Sequence, residues 1–135
     1  MKVIDCFKIQ SHSKHILYLH PFVLMVALEM IIFVDANSFS TVITSLIRTP
    51  DESRRLQARS DSHETGRAFD LRVRGWTKDF MDEFVEYFSR KYKGHGATNI
   101  KGEERLIVIH GEGENLHAHI QFNRDYADPT AWLKI

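Results

Sequence analysis

The sequence predicts an α+β domain: a small, mainly antiparallel sheet packed by helices. Three patterns carry that expectation. Phe22–Val34, FVLMVALEMIIFV, is a nearly unbroken apolar run, longer than an ordinary strand and suited to a buried helix. Phe80, Met81, Phe84, Val85, Phe88 and Tyr92 recur at three- and four-residue intervals and form one helical stripe. Arg67–Val73 and Leu116–Phe122 instead alternate, the period of a strand with one buried face.

Taken in order, Met1–Lys14 gives a weak signal, a short strand or an irregular arm. His20-Pro21 opens the first helix, because proline in a first turn lacks only an N–H that would have no partner there. The helix stops at the polar Asp35-Ala36-Asn37. TVITSLI, Thr41–Ile47, is β-branched and reads as a buried strand. TPDESRRLQARSDSHETG follows as a polar loop, long enough to be functional or disordered. In Arg67–Val73, the side chains of Phe69, Leu71 and Val73 point one way, and those of Ala68, Asp70 and Arg72 the other. Thr77 is placed to cap the striped helix, which ends at Lys91, Lys93 and Gly94. HGATNIKGEE reads as a turn-rich connector, Arg105–His110 as a strand, GEGEN as a turn and Leu116–Phe122 as the partner strand. This gives a two- or three-stranded antiparallel pairing. The final DYADPTAWLKI is expected to fold Trp132 and Leu133 back onto the body.

The 135 residues suit a single domain, 1–135. A hydrophobic fraction of 43% and a charged fraction of 27% are those of a soluble globular protein. Eighteen basic residues balance eighteen acidic ones, so no overall field draws in nucleic acid or an anionic membrane. The single cysteine, Cys6, rules out an internal disulfide and any site built from several thiolates. Phe22–Val34 is shorter than the roughly 20 residues a membrane helix needs and is interrupted by Glu29, so no membrane insertion is expected. The N-terminal segment lacks the layout of a signal peptide. Nothing in the sequence indicates an oligomeric state.

Eight histidines are a rich supply of imidazole ligands. Residues two apart in a strand share a face, so His117, His119 and Gln121 project together. Asp70 lies on the non-core face of another strand, and His63 sits in a loop able to fold over the sheet. Two imidazoles and a carboxylate form a workable metal half-shell. Spacing alone leaves two readings open: one metal site, or a polar loop beside an ordinary strand.

SHETGRAFDLR resembles the Ser-x-His-x-x-Gly-x-Ala-x-Asp signature of the zinc D-alanyl-D-alanine carboxypeptidases and the related L-alanyl-D-glutamate endopeptidases of phage endolysins. Upstream, TSLIRTPDE is similar to that family's strand ending in Thr-Ser followed by Arg-x-Pro. Downstream, ENLHAHIQF is similar to its last metal strand, where an acidic residue precedes the ligand histidine. The resemblance runs from Thr41 to Phe122, or from about residue 20 if the Phe22–Val34 helix is matched to the helix preceding the family's arginine strand. It departs at Asp61, which stands where the first signature serine is expected, and in lacking a tryptophan near the last ligand.

The resemblance implies a hedgehog/DD-peptidase-like fold, a Zn2+ cofactor, and His63 and Asp70 as its first two ligands. The family's Glu-x-x-His spacing selects His117 as the third, preceded by Glu114. The His-x-His form of the hedgehog signalling domain selects His119, which is the assignment adopted here, with His117 acting beside it on the transition state. Glu114 is then the proton-transferring carboxylate, in competition with Glu112, and Arg48 the residue that binds a substrate carboxylate or carbonyl oxygen. The expected activity is hydrolysis of peptide bonds in peptidoglycan stems, by an enzyme made in the cytoplasm and acting on the cell wall after a phage-type release. Two rivals remain: a non-catalytic zinc-binding domain of the same fold, and a His-hydrophobic-His nuclease reading of LHAHI. The nuclease would need Tyr87 or Tyr92 as its nucleophile. His12, His15, His20, His95 and His110 are expected to be solvated or packed.

Overall fold

The computed structural model describes residues 6–8, 10–58 and 60–135. It is a mixed α/β structure built on a small antiparallel four-stranded sheet. The expectation for Met1–Lys14 lies partly outside the described residues. From Gln10 to Tyr18 the chain forms a 3-10 helix rather than a strand or an irregular arm, and Phe7 makes one parallel bridge to Ile43.

Helix α1 spans Pro21–Ala36. His20 Nδ1 accepts from the Phe22 amide at 3.1 Å, and Pro21 occupies the first turn. Val23, Val26, Ala27, Met30, Ile31 and Val34 are buried. Ser38, at φ 64°, turns the chain away from the helix end. Strand β1 is only Ile43–Ser45, shorter than the expected Thr41–Ile47. A register irregularity between Ile43 and Ser45 breaks the ladder, and the Thr41 hydroxyl donates to the Arg72 carbonyl at 2.7 Å instead of facing a core.

The expected loop 49–66 contains a helix, α2, Pro50–Arg55. Thr49 accepts from the Glu52 amide at 3.2 Å, proline follows the cap, and Asp51 and Glu52 sit in the first turn. Thr-Pro-Asp-Glu is a helix-start signal whose shortness hid it within a polar stretch. Strand β2, Ala68–Arg72, follows. Helix α3, Lys78–Lys91, begins at Thr77, which accepts from the Phe80 amide at 3.1 Å. It buries Phe80, Phe84 and Phe88.

The connector after α3 is more ordered than expected. Ala97–Thr98 (β3) and Glu104–Arg105 (β4) pair as a small hairpin. The Asn99 side chain accepts from the amides of Lys101 and Glu103 at its tip. Strand β5, Ile107–His110, and strand β6, His117–Gln121, complete the main sheet in the order β1-β2-β6-β5, each pair antiparallel. The expected two- or three-stranded pairing is therefore a four-stranded sheet. Its buried positions, Phe69 and Leu71 on β2 and Ala118 and Ile120 on β6, join α1 and α3 in one apolar core with Phe122. At the C-terminus Trp132 packs against this core, but Leu133 does not: it is 62% exposed, and Ala131 is buried in its place. The short 3-10 turn Ala131–Lys134 rotates Leu133 outward.

Glu29, the acid inside the apolar run, bonds Lys91 and Tyr92 at the end of α3 and so ties the two long helices together. Burial opposes its ionisation, but the Lys91 and Tyr92 hydrogen bonds outweigh that and hold its pKa below the ordinary 4.5. Burial and the same carboxylate push Tyr92 up to about 12. Because the unfolded state binds more protons around pH 4, the Glu29 contribution is present above its unfolded pKa and lost as pH falls through the lower, folded value. Denaturant titrations of the wild type and Glu29→Gln should therefore differ in stability at pH 7, with the gap narrowing at pH 3.

Candidate metal centre

The non-core face of the sheet lines a cleft of about 850 Å³. β2 and β6 pair so that Asp70 lies directly opposite His119, with Arg72 opposite His117. Strand alternation sends the neighbours Phe69, Leu71, Ala118 and Ile120 into the core, which leaves the polar side chains on the cleft side. Asp70 is nonetheless only 4% exposed, a carboxylate sunk into the floor of the cleft.

His63 reaches this point from the turn before β2. That turn is closed by the Thr65 and Gly66 amides, which donate to the Asp61 and His63 carbonyls at 3.0 and 3.3 Å. Gly66 takes φ 67°, and a Cβ there would stand 2.9 Å from the Tyr18 carbonyl oxygen, so this corner admits little but glycine. Below the turn runs a buried arginine. Arg67 donates to Asp61 at 2.8 Å, to the Thr65 hydroxyl at 3.1 Å and to the Phe122 carbonyl at 2.6 Å. Asp61, the departure from the serine of the signature, is thus the anchor of this arginine. Burial opposes its ionisation, but the hydrogen bonds from Arg67 and Arg124 hold its pKa below the ordinary value.

The loop and the two strands bring His63, Asp70 and His119 together, and this group can hold a metal ion. His119 Nδ1 is 2.7 Å from Asp70 Oδ1. His63 Nε2 is 3.3 Å from both His119 Nδ1 and Asp70 Oδ1. The other ring nitrogen of His63, Nδ1, bonds the Leu46 carbonyl. A carbonyl only accepts, so Nδ1 carries the hydrogen and Nε2 of the neutral ring presents a lone pair. Burial pushes His63 below its ordinary pKa, an effect that the neighbouring Asp70 offsets only in part. For Asp70 burial opposes ionisation, but the His119 and His63 imidazoles beside it hold its carboxyl far below the usual range. With one proton on His119 Nδ1 and none on His63 Nε2, the contact between His63 Nε2 and Asp70 Oδ1 joins two acceptors. Three converging polar atoms share a single proton, and a cation that displaces it from His119 Nδ1 would meet a lone pair on all three.

The remaining candidates surround this group. Arg48, just beyond β1, donates to Asp70 Oδ2 at 3.1 Å and to the Ser45 hydroxyl at 3.0 Å. Its guanidinium therefore braces the carboxylate through Nη2 and the Ser45 hydroxyl through Nε, at the wall of the cleft. His117 shares the cleft face two residues before His119; its Nδ1 bonds the Asn115 carbonyl at 2.7 Å, and its Nε2 is 4.0 Å from Asp70 Oδ2. Glu114 sits in the 3-10 turn Gly113–Asn115 and lines the cleft. Its side chain is 89% exposed and faces Arg74 at 3.9 Å. Glu112 is not part of the cleft wall.

Three residues of this region were given no part in the site by the sequence. Arg67 is the support beneath His63, signalled only by a basic residue six positions after an acid. Arg72 lies on the cleft face that strand alternation assigns to it. His110, expected to be solvated or packed, lines the cleft with its ring centroid 4.1 Å from that of His117. Burial lowers its pKa, with further lowering from His117 and His119. Tyr87 and Tyr92 lie outside the cleft wall.

Arg67→Met should leave the Phe122 carbonyl without its buried donor and Asp61 held by Arg124 alone, at a cost of roughly 1–3 kcal/mol in urea unfolding. The same variant should weaken metal binding, read by competition with a chelating dye, because the His63 turn loses its footing. No protein-family model, curated protein or solved structure was found to match the chain.

Proposed function

We propose that this chain is a zinc-dependent peptidase that cuts peptide bonds in the stems of bacterial peptidoglycan. The observation that carries the proposal is the His63–Asp70–His119 triangle, with separations of 3.3, 3.3 and 2.7 Å. Zinc bonds of about 2.0–2.2 Å at tetrahedral angles separate neighbouring ligand atoms by roughly 3.3–3.6 Å. Two of the three edges already meet that spacing, and the third needs a small opening. Two imidazoles and one carboxylate from three separate elements border the open cleft, and such a donor set would suit a catalytic zinc. The order of the motifs from Thr41 to Phe122 and their resemblance to the carboxypeptidase and endopeptidase family supply the substrate class, and a hedgehog-like fold belongs to the same reading.

In this reading His63 would hold the ion through Nε2, its tautomer fixed by Leu46, Asp70 through Oδ1 and His119 through Nδ1 once that nitrogen has lost its proton to solvent, while Arg48 holds Oδ2. The chemistry that zinc would supply there is a water of lowered pKa and a polarised scissile carbonyl. Glu114 takes the proton of the attacking water and returns it to the leaving amine, swinging in from its exposed turn. His117 stands beside the developing oxyanion; with its Nδ1–H on Asn115, its Nε2 donates only from the protonated ring. Action on the wall after release from the cytoplasm goes with this reading. Within the described residues no helix is long and apolar enough to cross a membrane.

The pairing of Glu114 with Arg74 favours a second reading, a zinc domain of the same fold that binds without cutting. Two experiments separate these outcomes. Metal analysis should give one zinc per chain, with a rise in Tm on loading; His63→Ala, Asp70→Asn and His119→Ala should abolish both, and His117→Ala should keep the metal. Mass spectrometry of digested peptidoglycan should show stem cleavage that falls by about 10²–10⁴-fold in Glu114→Gln with zinc retained. Full zinc occupancy without any cleavage by the wild type would establish the binding domain instead.

A further inference from the structure

We propose that Arg72 is a specificity-determining residue that binds a carboxylate of the substrate within about two residues of the bond cut. The proposal rests on the peptidase reading for the identity of the substrate and on this chain's own geometry for the contact. Asp70 and Arg72 are two apart in β2 and share the cleft face, opposite His119 and His117 respectively. Arg72 is half-buried and contributes to the cleft wall. Among the described residues no carboxylate stands within ion-pair distance of it, although Arg48, Arg67, Arg74 and Arg124 each have one. A guanidinium held partly out of water needs an anion or hydrogen-bond acceptors to replace its lost hydration.

The other groups of the cleft narrow the choice of partner. Arg48, to which the family resemblance assigns this task, already uses Nε and Nη2 on Ser45 and Asp70 and has its charge balanced by Asp70. The nearby acids are turned elsewhere, Glu52 to the Thr49 hydroxyl and Glu114 to Arg74. Lys8 adds a second positive charge to the same wall. Arg72 is therefore the fork left open to an incoming anion, with a geometry that grips a carboxylate through two parallel hydrogen bonds. A strand rises about 3.3 Å per residue, so Arg72 lies roughly 6.6 Å along β2 from the ligand Asp70. An extended peptide crossing the cleft covers that distance in about two residues. The ligand is thus a peptide with either its C-terminal carboxylate or an acidic side chain close to the scissile bond.

The test uses a synthetic stem pentapeptide in three forms: both carboxylates free, the C-terminus amidated, and the D-glutamate carboxylate amidated. Binding is read by calorimetry on zinc-loaded Glu114→Gln protein, with and without Arg72→Gln or Arg72→Lys, and hydrolysis on the wild type. Arg72→Gln should weaken binding of the free form by about 10- to 100-fold, and Arg72→Lys should recover part of the loss. One of the two amides should bind as weakly as the free form does to Arg72→Gln and be insensitive to that substitution, which identifies the carboxylate. Equal weakening of all three forms, no change in any, or no binding of any form would overturn the proposal. The expected binding pattern without hydrolysis by the wild type would leave Arg72 as the carboxylate site and remove the peptidase reading.

Discussion

A carboxylate buried in the floor of a sheet is costly, and the arrangement of the cleft follows from how Asp70 is kept ionised. An unpaired charge in that position is penalised by several kcal/mol, more than most single contacts return. Arg48 donates to one oxygen and the His119 imidazole to the other, with His63 beside them. Each of these groups is then held by something else. Ser45 receives the Arg48 Nε–H, Leu46 fixes the His63 tautomer, and the sheet ladder sets His119.

Register makes this possible. The pairing of β2 with β6 puts Asp70 across from His119, and a slip of one residue would oppose it to Ala118 or Ile120 instead. The same slip would turn Phe69 and Leu71 out of the core. Apolar burial therefore enforces the geometry of a polar site, because both depend on one alternation. The loop side is enforced differently. Arg67 spans from Asp61 to the carbonyl that ends β6, so the turn bearing His63 is riveted to the strand next to its partner ligand.

Much of this was legible in the sequence, and the exceptions have physical causes. The two long helices were readable because an apolar run and a three-four stripe need no tertiary information. Alternation correctly assigned Phe69, Asp70, His117 and His119 to their faces. Helix α2 was missed because six residues leave almost no periodicity, although its cap residues were present. The β3–β4 hairpin was missed because two-residue strands carry no pattern at all. The grouping of His63 with Asp70 and His119 came from motif resemblance, since spacing cannot say where a loop lands. Arg48 was recognised as a residue of the cleft but not as the partner of Asp70, because a register-dependent contact across two strands has no local signature.

The three acceptor residues do not share one kind of support. Asp70 and His119 stand on the two inner strands of the sheet, each flanked by neighbours on both sides, whereas His63 hangs from a turn outside it. The turn is held by Arg67 and by its own amides, not by a ladder of strand hydrogen bonds. Loss of those contacts would therefore release His63 while Asp70 and His119 stay in register, a donor pair in place of a triangle.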